Sequence, residues 1–366
     1  MKYAAIQKSI AHVLNEAYSV LYRNSHFIDE NESAGNAGSI FAINNIPNYP
    51  RQEVIAMPLS AHGGIRSCSA QISKDAQKGY VLVDAARSGE PMIGLPKGLY
   101  ADVPRVSVAQ QSAETFVMTN SSVRMTVNEG RIVSLIDVAL DKELIPEGAS
   151  GGMVIMEDHP NNWDAWDVDS FHLEKQTHLK FGSVSILEQG PLRATLGASV
   201  NIGQSRMDVE ISLDAISASL KADARSTIRF SAVVDWREKH KFLKFELPLD
   251  IYSENATYET QFGTVSRPTH RNTTWDAAKF EVCGHKFADL SEFGYGVAIL
   301  NDCKYGYATE GNVMRLSLLR GPTSPDPNCD MGTHRFAWAI YPHVGTFTES
   351  DVAQVAYAFN APMRCK

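Results

Sequence analysis

The chain has 366 residues, a length that predicts two or three folded units rather than one. Hydrophobic residues make up 44% of the chain and charged residues 21%, as in an ordinary globular protein. The net charge is -8, and no nucleic-acid partner is expected, because phosphate binding requires a concentrated basic field. The densest basic run has acidic neighbours and is interpreted as the solvent-exposed face of a strand: Lys239, His240, Lys241 and Lys244.

The five cysteines are odd in number, widely spaced and without a CxxC pair, which favours free thiols in a reducing compartment. They are Cys68, Cys283, Cys303, Cys329 and Cys365. The first stretch, "MKYAAIQKSIAHVLNEAYSV", is interrupted by polar residues before an apolar region can form, so no signal peptide is expected. No apolar run approaches the length of a membrane span, so no membrane partner is expected.

Residues 1–30 are predicted to form one helix. Apolar residues recur there at helical spacing and form a single stripe: Ile6, Ile10, Val13, Leu14, Ala17 and Leu21. A lone helix with such a stripe is marginal in water and needs a surface to pack against. The polar, glycine-containing stretch "DENESAGNAGS" comes next, and residues 31–38 within it are predicted to form a linker.

The remaining chain is predicted to be β-structure in two parts. Residues 39–108 contain short strand-like runs such as "KGYVLVDAA", broken by Asn, Pro and Gly, and are predicted to form a small β-sandwich. Residues 109–366 contain longer strands such as "SRMDVEISLD", in which apolar residues occupy every second position. The predicted fold class is mainly β: a large antiparallel β-supersandwich preceded by a small β-sandwich and one N-terminal helix.

The stretch "EDHPNNWDAWDVDSFHLEK" gathers carboxylates around two tryptophans. Trp163, Asp164, Trp166 and Asp167 form the mixture that carbohydrate sites use. Carboxylates accept hydrogen bonds from sugar hydroxyls, and an indole face covers the apolar side of a pyranose ring. The alternative is a polar loop that two Trp side chains anchor on a sheet, and composition alone favours that alternative.

A second stretch, residues 262–302, supplies Arg267 and His270 together with further His and Asp residues. No pair has HxxxH or HxD spacing, so histidines satisfied by the backbone are favoured over metal ligands.

The third stretch, "RGPTSPDPNCDMGTHRFAWAIYPHVG", contains Asp326, Asp330 and His334 in a loop stiffened by three prolines. It fails as a calcium loop, because its glycine lies one place too late and Ala337 stands where a bidentate Glu is needed. A rigid loop can hold ionisable groups against a neighbouring domain at little further cost in entropy. We expect it to contact a domain first and a ligand second.

These three stretches, with "AINNIPNYPRQEVIAMP" and "FVMTNSSVRMTVNEGRIVSLIDVALDKEL", resemble the C-terminal β-region of glycoside hydrolase family 38 α-mannosidases of the cytosolic or vacuolar type. The resemblance implies a galactose mutarotase-like supersandwich over residues 109–366. It also implies that residues 1–30 are the last helix of a helical-bundle domain. Family members carry zinc, the nucleophile and the acid/base carboxylate on an α/β barrel that has no counterpart in this sequence. No cofactor, catalytic residue or metal ligand is therefore expected on this chain.

The resemblance implies the non-catalytic part of a retaining α-mannosidase that acts on terminal α-mannose of oligosaccharides. The expected partners are such an oligosaccharide and the barrel and helical domains of the same enzyme, with a homo-oligomer as a further possibility. The implied location is cytoplasmic or vacuolar/lysosomal without a signal peptide. Nine residues are expected to face the pocket or, alternatively, to hold the domain interface: Trp163, Asp164, Trp166, Asp167, Arg267, His270, Asp326, Asp330 and His334.

Two other functions stay open. One is a stand-alone carbohydrate-binding β-sandwich module, motivated by the two tryptophans. The other is a mutarotase-like enzyme that uses a histidine and a carboxylate as acid and base, although no motif selects one pair. The residues available for that chemistry are His270, His285 and His334 with Asp326 or Glu281.

Overall fold

The structure is a computed structural model that describes residues 6, 8–10, 12–13, 41–43, 50–58, 71–85, 91–93 and 104–365. The chain divides into two compact units, Met1–Gly38 and Ser39–Lys366. In the first unit, the described residues are helical, and Ile6, Ile10 and Val13 are exposed. The rest of the predicted helix and the linker at 31–38 lie outside the described residues. Within the described part, no helix combines the length and the apolar character needed to cross a membrane.

Strands dominate the described part of the second unit. In chain order they are β1 (Phe41–Ile43), β2 (Arg51–Pro58), β3 (Gln71–Ile72), β4 (Lys78–Ala85), β5 (Pro91–Ile93), β6 (Ser107–Gln110), β7 (Thr115–Thr119), β8 (Val123–Asn128), β9 (Arg131–Asp137), β10 (Lys142–Glu143), β11 (Gly152–Glu157), β12 (Gln176–His178), β13 (Gly182–Gln189), β14 (Arg193–Ile202), β15 (Ser205–Asp214), β16 (Ile228–Trp236), β17 (Lys241–Pro248), β18 (Asn255–Thr260), β19 (Gly263–Pro268), β20 (Val282–Cys283), β21 (Phe287–Glu292), β22 (Tyr295–Asn301), β23 (Gly306–Glu310), β24 (Val313–Leu319), β25 (Gly332–Val344) and β26 (Arg364–Cys365). The helices are α1 (Thr274–Ala277) and α2 (Val352–Asn360), with 3-10 turns at Ser170–Glu174 and Phe347–Glu349.

Three antiparallel sheets enclose the main hydrophobic core. A nine-stranded sheet has the order β13-β14-β15-β16-β25-β22-β21-β18-β19, a six-stranded sheet the order β12-β11-β17-β24-β23-β20, and a five-stranded sheet the order β10-β9-β8-β7-β6. Trp338 of β25 stacks on Phe230 of β16 at 5.1 Å between ring centroids, and it meets Phe245 of β17 at 5.4 Å. These rings join the nine- and six-stranded sheets, so the prediction of a mainly β sandwich is confirmed.

The outer face of the nine-stranded sheet is partly covered. Val352, Val355 and Ala356 of α2 pack there on apolar side chains of β21, β22 and β25. Two three-stranded sheets, β2-β4-β3 and β26-β1-β5, complete the described part. The predicted division between a small and a large sandwich at residue 108 stays a prediction.

Residues 158–175 link β11 to β12 and pack on the outer face of the six-stranded sheet; they are called the Trp-containing segment below. Val168 and Leu173 of this segment pack on Val154, Met156 and Phe242 of the sheet. Strand β17 is therefore buried on both faces, with Leu243 and its alternating neighbours in the main core. This packing places the Trp-containing segment above the polar side chains of the sheet.

Candidate functional site

A lysine lies buried beneath the Trp-containing segment. Lys244 of β17 is 0% exposed, and its Nζ donates to Oε2 of Glu281. The other oxygen of Glu281 accepts from the hydroxyl of Ser317 on β24. Burial lowers the pKa of Lys244, and the Glu281 carboxylate opposes that effect. The interpretation of Lys244 as part of a solvent-exposed strand face is therefore wrong, because the Trp-containing segment covers the outer face of the sheet.

Asp164 joins the Trp-containing segment to the proline-rich loop after β24. Its Oδ2 accepts from the backbone N–H of Thr323 at 2.5 Å, from the Thr323 hydroxyl at 3.0 Å and from the Ser324 N–H at 3.1 Å. Arg320 completes the contact by donating to Oδ2 of Asp158 at 2.6 Å. Burial alone would raise the pKa of Asp164, but the hydrogen bonds from Thr323 and Ser324 hold that pKa below its usual value.

The side chains of the two tryptophans beside Asp164 are largely exposed. Trp163 is 67% exposed and Trp166 is 73% exposed, with 6.0 Å between their ring centroids. Asp167 is exposed and accepts from the N–H of Val168 at 3.0 Å. Carboxylates and the apolar side chains of Val168 and Leu173, rather than the indoles, therefore anchor the segment, and the two indoles are left largely exposed.

A groove of about 560 Å³ lies beside the exposed Trp166 and is called the Trp166–Tyr305 groove below. Tyr305, which precedes β23 and is 51% exposed, also lines it, as do Glu281 and Cys283. Gly306 is required there, because a Cβ at this position would lie 3.1 Å from Oε1 of Glu281 and 2.9 Å from Cβ of Ser317. The groove therefore combines three aromatic side chains, Trp166, Phe280 and Tyr305, with an oriented carboxylate.

Arg267 and His270 lie near this groove but do not line it. Nη1 of Arg267 donates to the carbonyl of Cys283 at 2.7 Å, which places Arg267 next to the groove. His270 pairs with Asp276 at 3.7 Å and lines a separate small depression that shares Phe280 with the groove.

Asp326 and Asp330 of the proline-rich loop and His334 of β25 make local hydrogen bonds. Asp326 accepts from the N–H of Asn328 at 2.9 Å, and Nε2 of His334 lies 2.6 Å from the carbonyl oxygen of Asp330. None of the three predicted site residues lines the Trp166–Tyr305 groove.

The side chains considered for acid–base chemistry do not converge. His285 packs edge-on against Tyr305, with 5.4 Å between the ring centroids. In the part of the chain that the structure describes, no hydrogen bond or ion pair joins His270, His285 or His334 to Asp326 or Glu281.

Sequence reasoning missed His172, Lys244 and Tyr305. His172 is buried, its Nδ1–H donates to the carbonyl of Asp169 at 2.7 Å, and its Nε2 has no hydrogen-bond partner. Burial, followed by the positive charge of Lys244, lowers the pKa of His172 to about 4. The available signal was Lys244 itself, a lysine in the largely apolar run "FLKFELPL", whose other charged residue is Glu246.

The described residues contain no group of three His, Cys, Asp or Glu side chains that could hold a metal ion. The sequence resemblance implies zinc on the barrel of the whole enzyme and not on this chain.

Residues 118–328 match the glycosyl hydrolases family 38 C-terminal domain, and the chain belongs to this family. It is 39% identical to alpha-mannosidase 2C1 of Homo sapiens over 90% of this chain, and 42% identical to alpha-mannosidase G of Dictyostelium discoideum over 64% of this chain. The chain spans 30% and 21% of the lengths of these two relatives. The predicted family resemblance is confirmed.

The solved structure of an alpha-mannosidase from Enterococcus faecalis V583 has the same fold over most of this chain. The TM-score is 0.62 at 12% identity, and the match covers 91% of this chain and 46% of the other. At this identity the similarity establishes the fold alone.

Proposed function

We propose that this chain is the non-catalytic β-region of a retaining α-mannosidase that removes terminal α-mannose from oligosaccharides. One observation carries the proposal: the chain belongs to a C-terminal domain family and spans 30% of the length of an alpha-mannosidase relative. The nucleophile, the acid/base carboxylate and the zinc ion would then lie on a barrel outside this sequence.

The joined loops supply the part of this β-region that would complete the pocket. Asp164 holds the Trp-containing segment on the proline-rich loop, so the two loops form one rigid wall. A wall ordered before binding loses little entropy when the barrel or a substrate meets it. Trp163, Trp166 and Asp167 would face the pocket, while Asp326 and Asp330 would contact the barrel.

We further propose that the whole enzyme works in the cytoplasm or in a vacuole or lysosome. The proposal is supported by the widely spaced cysteines, since Cys283, Cys303 and Cys329 are free thiols in the structure. Free cysteines are typical of a protein in a reducing compartment and of one that is not stabilised by disulfide bonds.

Complementation tests the function directly. The purified chain is assayed for hydrolysis of an aryl α-mannoside with added zinc or cobalt, alone and mixed with the separately expressed barrel and helical domains of a close relative. The expected result is activity in the mixture and none in the chain alone. Activity in the chain alone would mean that a complete site exists here, and the proposal would fall. A matched mixture with Asp164→Ala should be less active than one with Asp208→Ala, because the Asp164 carboxylate joins the two loops and Asp208 is an exposed residue of β15 outside both of them.

A further inference from the structure

We propose that the Trp166–Tyr305 groove binds a pyranose unit of an oligosaccharide on this chain by itself. Three aromatic side chains and three carboxylates lie together there, and one of the carboxylates, that of Glu281, is held in one orientation. The choice of mannose as the sugar rests on the proposed function, whereas the binding of a sugar ring rests on the groove.

The size and the lining of the groove suit a sugar ring. Its volume of about 560 Å³ falls within the ~300–1,000 Å³ typical of small-molecule sites. Trp166 and Tyr305 come from different elements and are both more than half exposed. Aromatic side chains pair a large apolar face with polar neighbours, which matches the apolar C–H face and the hydroxyl edge of a pyranose. The edge-on contact of His285 supports the ring of Tyr305.

Glu281 is prepared to accept hydrogen bonds from sugar hydroxyls. Its two oxygens accept from Lys244 and Ser317, so the carboxylate is held in one orientation. An ionised carboxylate has about four acceptor positions, so each oxygen keeps capacity for a further donor. Because Lys244 is buried in the sheet, this orientation does not depend on the ligand, and little conformational entropy is lost on binding.

The charges of the groove favour a neutral polyhydroxyl ligand over an anion. Asp167, Asp169 and Glu281 all line it, and a negatively charged group there would meet three carboxylates. The nearby guanidinium of Arg267 is directed to the carbonyl of Cys283. An apolar ligand would leave the carboxylates without donors, whereas a sugar supplies hydroxyl donors to them and a C–H face to the rings.

Calorimetric titration of the full chain with methyl α-mannoside and α-mannobiose tests this binding. We expect saturable binding, accompanied by a change in tryptophan fluorescence. Trp166→Ala and Tyr305→Ala should each weaken binding about tenfold, equivalent to about 1.4 kcal/mol. Tyr252→Ala is the matched control, because Tyr252 is 68% exposed and lies outside the groove, and it should bind as the parent chain does.

Absence of binding at tens of millimolar sugar would overturn the inference, as would binding that survives both groove substitutions unchanged. Both substituted side chains are largely exposed, so circular dichroism should show folded variants. Failure of the sugar titration can be distinguished from failure of the complementation assay. A chain that restores activity without binding sugar alone would contradict only the groove, and a chain that binds sugar without restoring activity would contradict only the proposed function.

Discussion

Lys244 shows how one residue takes its role from what covers it. Strand β17 alternates apolar side chains toward the core with Phe242, Lys244 and Glu246 on the other face. Alternation alone predicts that this second face meets water. The Trp-containing segment closes over it instead, and the lysine stays buried because the Glu281 carboxylate pairs with its charge, while the Ser317 hydroxyl donates to the other oxygen of that carboxylate.

The buried His172 is expected to make the fold sensitive to acid. Its folded pKa of about 4 lies below the unfolded value of 6.5, because burial and the positive charges of Lys244, Arg320 and Arg315 disfavour the protonated ring. As the pH falls from 6.5 toward 4, the unfolded state binds a proton that the folded state does not. The free energy of unfolding should therefore fall by about 2 kcal/mol by pH 5 from this group alone.

Urea unfolding at pH 7 and pH 5 measures this loss. His172→Phe should reduce the difference between the two pH values, whereas His270→Gln, which removes a histidine at the surface, should keep it. An unchanged pH dependence in His172→Phe would show that other groups control acid unfolding.

At the scale of elements, hydrogen bonds join two loops that are far apart in the sequence. Asp164 and Thr323 are 159 residues apart, yet three hydrogen bonds join the Asp164 carboxylate to residues 323 and 324. The prolines of the second loop predict its stiffness, but not its partner. The backbone N–H groups of a stiff loop can donate hydrogen bonds to a carboxylate on a neighbouring segment, as those of Thr323 and Ser324 do to Asp164.

Asp164→Ala should lower the free energy of unfolding by about 1–3 kcal/mol, since it leaves the N–H groups of Thr323 and Ser324 without their acceptor. Urea denaturation gives the energy, and hydrogen exchange of the two amides locates it. Asp167→Ala is the matched control and should stay within about 0.5 kcal/mol of the parent. Equal losses in the two variants would argue against the joined loops.

At the scale of the whole molecule, the sandwich depends on aromatic contacts between its two largest sheets. Trp338 is 0% exposed and touches Phe230 in its own sheet and Phe245 in the opposite one. Large aromatic side chains carry much of the buried apolar area of such an interface.

Trp338→Ala should therefore lower the free energy of unfolding by about 3–5 kcal/mol. The substitution leaves a cavity between the two sheets, and the sheets cannot move together to fill it. Trp275→Ala removes an indole that is 81% exposed on α1 and should change that free energy by about 0.5 kcal/mol or less. Thermal unfolding followed by circular dichroism compares the two. A small loss at Trp338 would mean that the sheets are held mainly by other contacts.

Local patterns were enough to predict the strands, the mainly β class and the family, because alternation and long motifs are properties of continuous sequence. They also identified Trp166 and Asp167 as candidates for a site. The partners of these residues came only from the tertiary structure. Glu281 and Tyr305 lie more than a hundred positions away and become neighbours only when the segment folds over the sheet. Period-two alternation tells which side chains share a face but not what covers that face, and burial, pairing and the groove all depend on that covering.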